Sequence, residues 1–133
     1  MDKSKSEKDY ASKQKSIGGL KRIYSALHYS IDGFKAAWKE AAFRQLMGLH
    51  AVLILIACLI PFPYLHTVLL IVLSLVSLIV ELLNTAIEAA VDHTSRAQHP
   101  LAKQAKDVGS AAQFLTLAMI LFVWIALLIQ LWR

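Results

Sequence analysis

Glu81, Asn84, Glu88 and Asp92 stand at offsets of 0, 3, 7 and 11 within one stretch of chain. At 100° per residue these positions share one narrow face of an α-helix. Glu81 and Glu88 are then two turns apart, about 10 Å along the axis. Ala86, Ala89 and Ala90 fill other positions of the same turns, small enough for another helix to approach closely. A carboxylate inside a membrane span is expensive and usually functional. The plainer readings are a helix end facing water and polar glue between helices. Either suits one acid; three acids and an Asn on one face fit them less well. Glu40, ahead of Ala41-Ala42-Phe43-Arg44, and Lys106-Asp107, ahead of Val108-Gly109-Ser110, add charge near the same interface. Carboxylates with Lys and Arg suit a divalent metal and phosphate. Mg²⁺ in particular favours one or two carboxylates plus substrate phosphates.

The elements that must position these groups are read from composition and charge. The chain of 133 residues is 57% hydrophobic and 17% charged, with mean hydropathy +0.54. Soluble domains are roughly 45–50% apolar and about 25% charged, so neither a disordered chain nor an ordinary soluble domain fits. The length allows one domain. Net charge is +5, but ten of the 14 Lys and Arg precede Leu46 and none lies between Arg44 and Arg96. That asymmetry points to a basic cytoplasmic flank, not to nucleic acid. No charge occurs in the 36 residues between Arg44 and Glu81. A bilayer core of about 30 Å needs roughly 20 helical residues. Pro61 and Pro63 are the natural break. Spans are expected at about 42–60 and 65–91, with a third at 107–132. Lys35, Lys39 and Arg44, with Arg96, Lys103 and Lys106, place the N-terminus and the 92–107 connection in the cytoplasm. The 61–66 turn and Arg133 are then external, in a multi-pass protein of the inner (plasma) membrane.

Residues 1–16 carry five Lys and three acids and read as a solvated tail; nothing there resembles a cleavable signal peptide. Residues 17–133 are expected to form a single membrane domain. Its first helix, about 20–38, sets Leu20, Ile23, Tyr24, Leu27, Ile31, Phe34 and Trp38 on one stripe, with Gly33 a place for a bend. Such a helix suits the membrane surface, its lysines near anionic headgroups, or else packs on a soluble partner. Trp38, Tyr64 and Trp132 suit interfacial anchoring. The single Cys58 excludes an intrachain disulfide. No Walker A loop, G-x-G-x-x-G or Cys/His zinc pattern occurs. His50, alone in the first span, reads as a packed or hydrogen-bonded histidine. Three spans cannot readily enclose a charged site, so an oligomer is expected. The residues alone thus give an all-α, oligomeric membrane protein with an acidic, metal-binding site at the cytoplasmic face, and leave its reaction open.

The run Glu81-Leu-Leu-Asn84-Thr-Ala-Ile-Glu88-Ala-Ala-Val-Asp92 resembles the signature of the small prokaryotic diacylglycerol kinases. Glu40-Ala-Ala-Phe-Arg-Gln45, Ala105-Lys-Asp-Val-Gly-Ser-Ala-Ala112, Tyr29-Ser30, Gly33 and Ala36-Ala-Trp38 extend the likeness over about residues 20–133. The resemblance implies a membrane homotrimer, each subunit with a surface helix and three spans. It also implies transfer of the γ-phosphoryl group of MgATP to a lipid hydroxyl. By the same resemblance, Glu81 is the general base and Asn84 orders the base and the polar network. Glu40 and Glu88 hold Mg²⁺. Lys106 and Asp107 bind nucleotide, Arg22 contacts it from the surface helix, and Asp92 supports the nucleotide side. The chain departs from the family at Leu46, where relatives often carry Glu, at Ser25, in place of a Lys, and in a Trp38–Glu40 segment one residue shorter.

Diacylglycerol phosphorylation to phosphatidic acid is therefore the expected activity. Undecaprenol kinase shares the second-span signature and is the rival within the enzyme class, though the EAAFRQ and AKDVGSAA blocks favour diacylglycerol. A small ion-coupled carrier or channel subunit, with Glu81 and Glu88 along the cation path, is the rival from another class. The basic first helix and Lys106-Asp107 fit a kinase better than a pore.

Overall fold

A computed structural model describes residues 19–94 and 99–133. Helix α1 is Leu20–Ala37, α2 is Ala41–Leu59, α3 is Tyr64–Thr94 and α4 is Pro100–Leu131. No strand occurs among the described residues, so the all-α class holds. Helices α2, α3 and α4 are each long and apolar enough to cross a membrane. The expected tail at 1–16 and the flanking Arg96 lie outside the described residues.

The chain divides into two units, one ending at Ala36 and one running from Ala37 to Arg133. In the first, Gly19 takes a left-handed φ of 62° and its carbonyl accepts the Arg22 N–H at 3.1 Å. Such a φ is cheap only for glycine, which makes Gly19 a suitable lead-in to α1. The helix continues through Gly33 to Ala37. Ile23, Leu27 and Phe34 remain exposed along it, and Lys35 pairs with Asp32 at 3.2 Å.

In the second unit, α2 ends at Leu59 because Pro61 and Pro63 follow. Ile60 N–H still bonds Ile56 O at 3.0 Å, and Phe62 N–H turns back to Ile60 O at 2.7 Å. The carbonyl of Pro63 then accepts His66 N–H at 2.9 Å, starting α3. Helix α3 packs against both α2 and α4. Near the turn lies an apolar core of Ala57, Leu70, Ile120, Trp124 and Leu127. Phe62 seals its end, edge-on to Trp124 at 6.1 Å. Cys58 is exposed.

Polar side chains are also buried in this unit: His50 on α2, Ser74 and Ser77 on α3, Gln113 and Thr116 on α4. Gln113 Nε2 donates to Ser77 Oγ at 2.9 Å, a bond between helices. His50 is packed; its ring nitrogens have no hydrogen-bond partner among the described residues.

Two boundaries differ from expectation. Helix α3 runs to Thr94, three residues past 91, and α4 starts at Pro100, seven before 107. The cause at α4 is local. His99 is the N-cap, its ring nitrogen accepting Leu101 N–H at 3.2 Å, and Pro100 takes the first helical position. Proline is favoured there, because its missing donor would have been unpaired anyway. The expected connection of 92–107 is thus largely helical, and Asp92 and Lys106 both stand on helices.

Candidate functional site

The buried face of α3 reads Leu70, Ser74, Ser77, Glu81, Asn84, alternating steps of four and three. That is the helical repeat of one packed stripe. The stripe begins apolar near the turn and becomes charged toward the far end. Glu81 is 4% exposed, Asn84 is 9% exposed, Glu88 is half-buried and Asp92 is exposed. At 1.5 Å per residue, Glu81 stands about 26 Å from Tyr64, Glu88 about 36 Å and Asp92 about 42 Å. With Tyr64 set at one edge of a hydrocarbon core of about 30 Å, Glu81 falls just inside the other edge and the other two fall beyond it.

Asn84 joins this stripe to α4. Its amide Nδ2 donates to Glu88 Oε1 at 3.3 Å. Its Oδ1 occupies the space that a side chain at Gly109 would fill: a Cβ built on Gly109 collides with Asn84 Oδ1. Gly109 is buried, so α4 meets α3 there through bare backbone. Among the described residues none donates a hydrogen bond to the Glu81 carboxylate. Its oxygens are thus left without a protein donor.

One turn further out, Lys106 Nζ donates to Asp92 Oδ1 at 2.6 Å. The pair ties the outer ends of α3 and α4 and stays accessible, the side chains being 37% and 65% exposed. Asp107 is exposed beside it.

Glu40 is the N-cap of α2, with extended backbone, and is exposed. N-cap side chains ordinarily fold onto the first helical N–H groups. The Glu40 carboxylate makes no such bond. Phe43 is buried one turn on, with Trp38 edge-on at 6.4 Å, fixing the start of the helix. Arg22 belongs to the first unit, exposed on α1.

The described residues include no group of three or more His, Cys, Asp or Glu that could cage a metal. Glu40 and Glu88 instead offer carboxylate oxygens, one of them held by Asn84. Mg²⁺ takes few carboxylates and completes its shell with phosphate and water.

The structure thus joins Asn84 with Glu88 and Asp92 with Lys106, and buries Glu81 on the same face as Asn84. Two contributions escaped sequence reasoning. Gly109 enters the sequence reading only as part of the Ala105–Ala112 motif, although a glycine inside a span signals close helix approach. Gln113 and Ser77 looked unremarkable because their partnership depends on helix register.

Known proteins resemble this chain over most of its length. The family model described as "Prokaryotic diacylglycerol kinase" matches residues 28–128. A Pseudomonas aeruginosa protein named diacylglycerol kinase is 53% identical over 112 residues, 84% of this chain and 91% of its own length. A Helicobacter pylori protein of the same name is 45% identical over 107 residues, covering 80% and 84%. An Escherichia coli protein, also so named, is 41% identical over 111 residues, covering 83% and 91%. The matches span the α3 stripe, Glu40 and Lys106, and on them the chain belongs to the prokaryotic diacylglycerol kinase family.

Proposed function

We propose that this lipid kinase transfers the γ-phosphoryl group of MgATP to the free hydroxyl of diacylglycerol, giving phosphatidic acid and ADP. The observation that carries the reading is the buried Glu81, without a donor, on one face with the Asn84–Glu88 pair. The order along α3 follows the order of the substrates. Glu81, just inside the hydrocarbon edge, meets the lipid hydroxyl; Glu88, Asp92, Lys106 and Asp107, further out, meet the nucleotide.

Glu81 takes the hydroxyl proton as the hydroxyl oxygen bonds to the γ-phosphorus. The bond from that phosphorus to the β–γ bridging oxygen breaks and ADP leaves. A positioned base of this kind is worth about 10²–10⁴-fold. The remainder of phosphoryl-transfer catalysis is positioning and charge stabilisation. Asn84 fixes the Glu88 carboxylate, and Lys106 neutralises phosphate charge. Mg²⁺, held by Glu40 and Glu88 when bound, supplies neutralisation of the phosphate oxygens. Arg22 contacts nucleotide from α1, which lies on the membrane surface with Ile23, Leu27 and Phe34 among the acyl chains. The active face is cytoplasmic, with the N-terminus on that side and the C-terminus external, in the inner membrane. The homotrimer that the resemblance implies would complete a site that one subunit leaves with Glu40 exposed and Glu88 half-buried.

The name shared by relatives at 41–53% identity favours diacylglycerol over undecaprenol. Family membership sets the carrier reading aside. The test offers purified protein both lipids with MgATP and measures the phosphorylated products. Diacylglycerol is the preferred acceptor; a clear preference for undecaprenol would move the substrate assignment.

A further inference from the structure

Only Trp38, Lys39 and Glu40 connect the end of α1 to the start of α2. The closing carbonyls of a helix have no partner within it and need one from elsewhere. Ala37 O takes the Glu40 N–H at 3.0 Å. The next two carbonyls are both held by one side chain: Arg44 Nη1 donates to Trp38 O at 2.9 Å and to Lys39 O at 2.8 Å. The backbone N–H of Arg44 also bonds Glu40 O, at 3.3 Å. Glu40 is thus held through its own N–H, its own carbonyl and the two peptide groups before it, three of these four bonds coming from Arg44. Its carboxylate takes no part in this and stays free. No ion pair between Arg44 and an acid is found among the described residues, so its charge is directed onto the linker.

We propose that Arg44 is a positioning residue that fixes the direction of the Glu40 carboxylate by clamping the Trp38–Glu40 linker. The proposal rests on the reading of Glu40 as a metal-holding group. A guanidinium presents several N–H donors in a rigid plane, and a lysine ammonium does not reproduce that geometry. Lysine retains the charge and part of the bonding, so Arg44→Lys should fall between the wild type and Arg44→Ala.

Two measurements test this. The first needs no metal. Backbone hydrogen exchange of residues 38–44, read by mass spectrometry on the magnesium-free protein, should speed up strongly in Arg44→Ala and less in Arg44→Lys. Unchanged exchange in both variants would overturn the clamp. The second is a Mg²⁺ titration of lipid-kinase activity in wild type, Arg44→Ala, Glu40→Gln and the double variant. Small misplacements of positioned groups cost up to about 100-fold, so Arg44→Ala should raise the Mg²⁺ needed for half-maximal activity by roughly 10- to 100-fold. The double variant should be no worse than Glu40→Gln alone, since both act through one carboxylate. Losses that multiply would overturn the proposal, because Arg44 would then act independently of Glu40. If Glu40→Gln leaves the Mg²⁺ dependence unchanged while Arg44→Ala speeds exchange, the clamp stands and the metal assignment of Glu40 fails. If Arg44→Ala does not fold, Arg44→Lys carries both measurements with the same outcomes.

Discussion

Asn84 Oδ1 occupies the place where a side chain at residue 109 would begin, so Gly109 and Asn84 fill one space between α3 and α4. Any Cβ at 109 must push Asn84 aside or move α4 away. Either shift disturbs the 3.3 Å bond from Asn84 to Glu88. Gly109→Ala should therefore lower kcat by about 10- to 100-fold, the range expected when a positioned group moves slightly. Alanine favours helix over glycine by roughly 1 kcal/mol, which offsets part of the packing cost. The check is steady-state kinetics beside a melting curve in the same detergent. Wild-type kcat in a stable Gly109→Ala protein would show that Asn84 need not sit where it does.

Removing the amide donor should mimic that change without touching the helix contact. Asn84→Asp places a second carboxylate 3.3 Å from Glu88 Oε1, where like charges repel. Activity should fall further than in Gly109→Ala, with weaker nucleotide binding. Equal activity in Asn84→Asp and wild type would remove Asn84 from the site.

Much of this arrangement could be read along the chain. The three apolar helices and the stripe from Glu81 to Asp92 follow from local periodicity and the proline break, and both are present. Less legible were contacts fixed by how one helix sits against the next. Gly109 meets Asn84, and Gln113 meets Ser77, only once the register of α3 and α4 is set. The early start of α4 was hidden for another reason. Lys103, Lys106 and Asp107 make its first turns look like a loop, although the His99–Pro100 pair is a helix start. Arg44 looked like a topology-setting charge, and only the structure shows it bonded to carbonyls.

The Asp92–Lys106 pair is exposed, so its own contribution to stability should be small. Asp92→Asn should therefore barely change the melting temperature. If Lys106 neutralises phosphate, Lys106→Met should raise KM for ATP at least about tenfold, the scale of one lost charge-assisted hydrogen bond. Asp92→Asn, which leaves the ammonium in place, should raise it less. A larger KM effect from Asp92→Asn would reverse the two roles.

Glu88→Gln should shift the Mg²⁺ dependence of activity strongly upward, because Mg²⁺ dehydrates reluctantly and loses a charged ligand. Glu40→Gln should act in the same direction. The double variant should cost less than the product of the two single losses, as expected for groups sharing one function. An unchanged Mg²⁺ requirement in Glu88→Gln would move the metal to other residues such as Asp92.

The assembly is open to direct weighing. Native mass spectrometry in detergent should give three copies of the chain in the active species. An active monomer would show that one subunit completes the site alone.

The central claim is that Glu81 is the base that activates diacylglycerol. Phosphatidic acid formation from MgATP and diacylglycerol, measured on the wild type and on Glu81→Gln at saturating substrates, tests it most directly. Glutamine keeps the size and position of the side chain and cannot take the proton. The wild type should turn over, and Glu81→Gln should lose roughly 10²–10⁴-fold in kcat while nucleotide binding is retained. Near-normal kcat in Glu81→Gln would contradict the account.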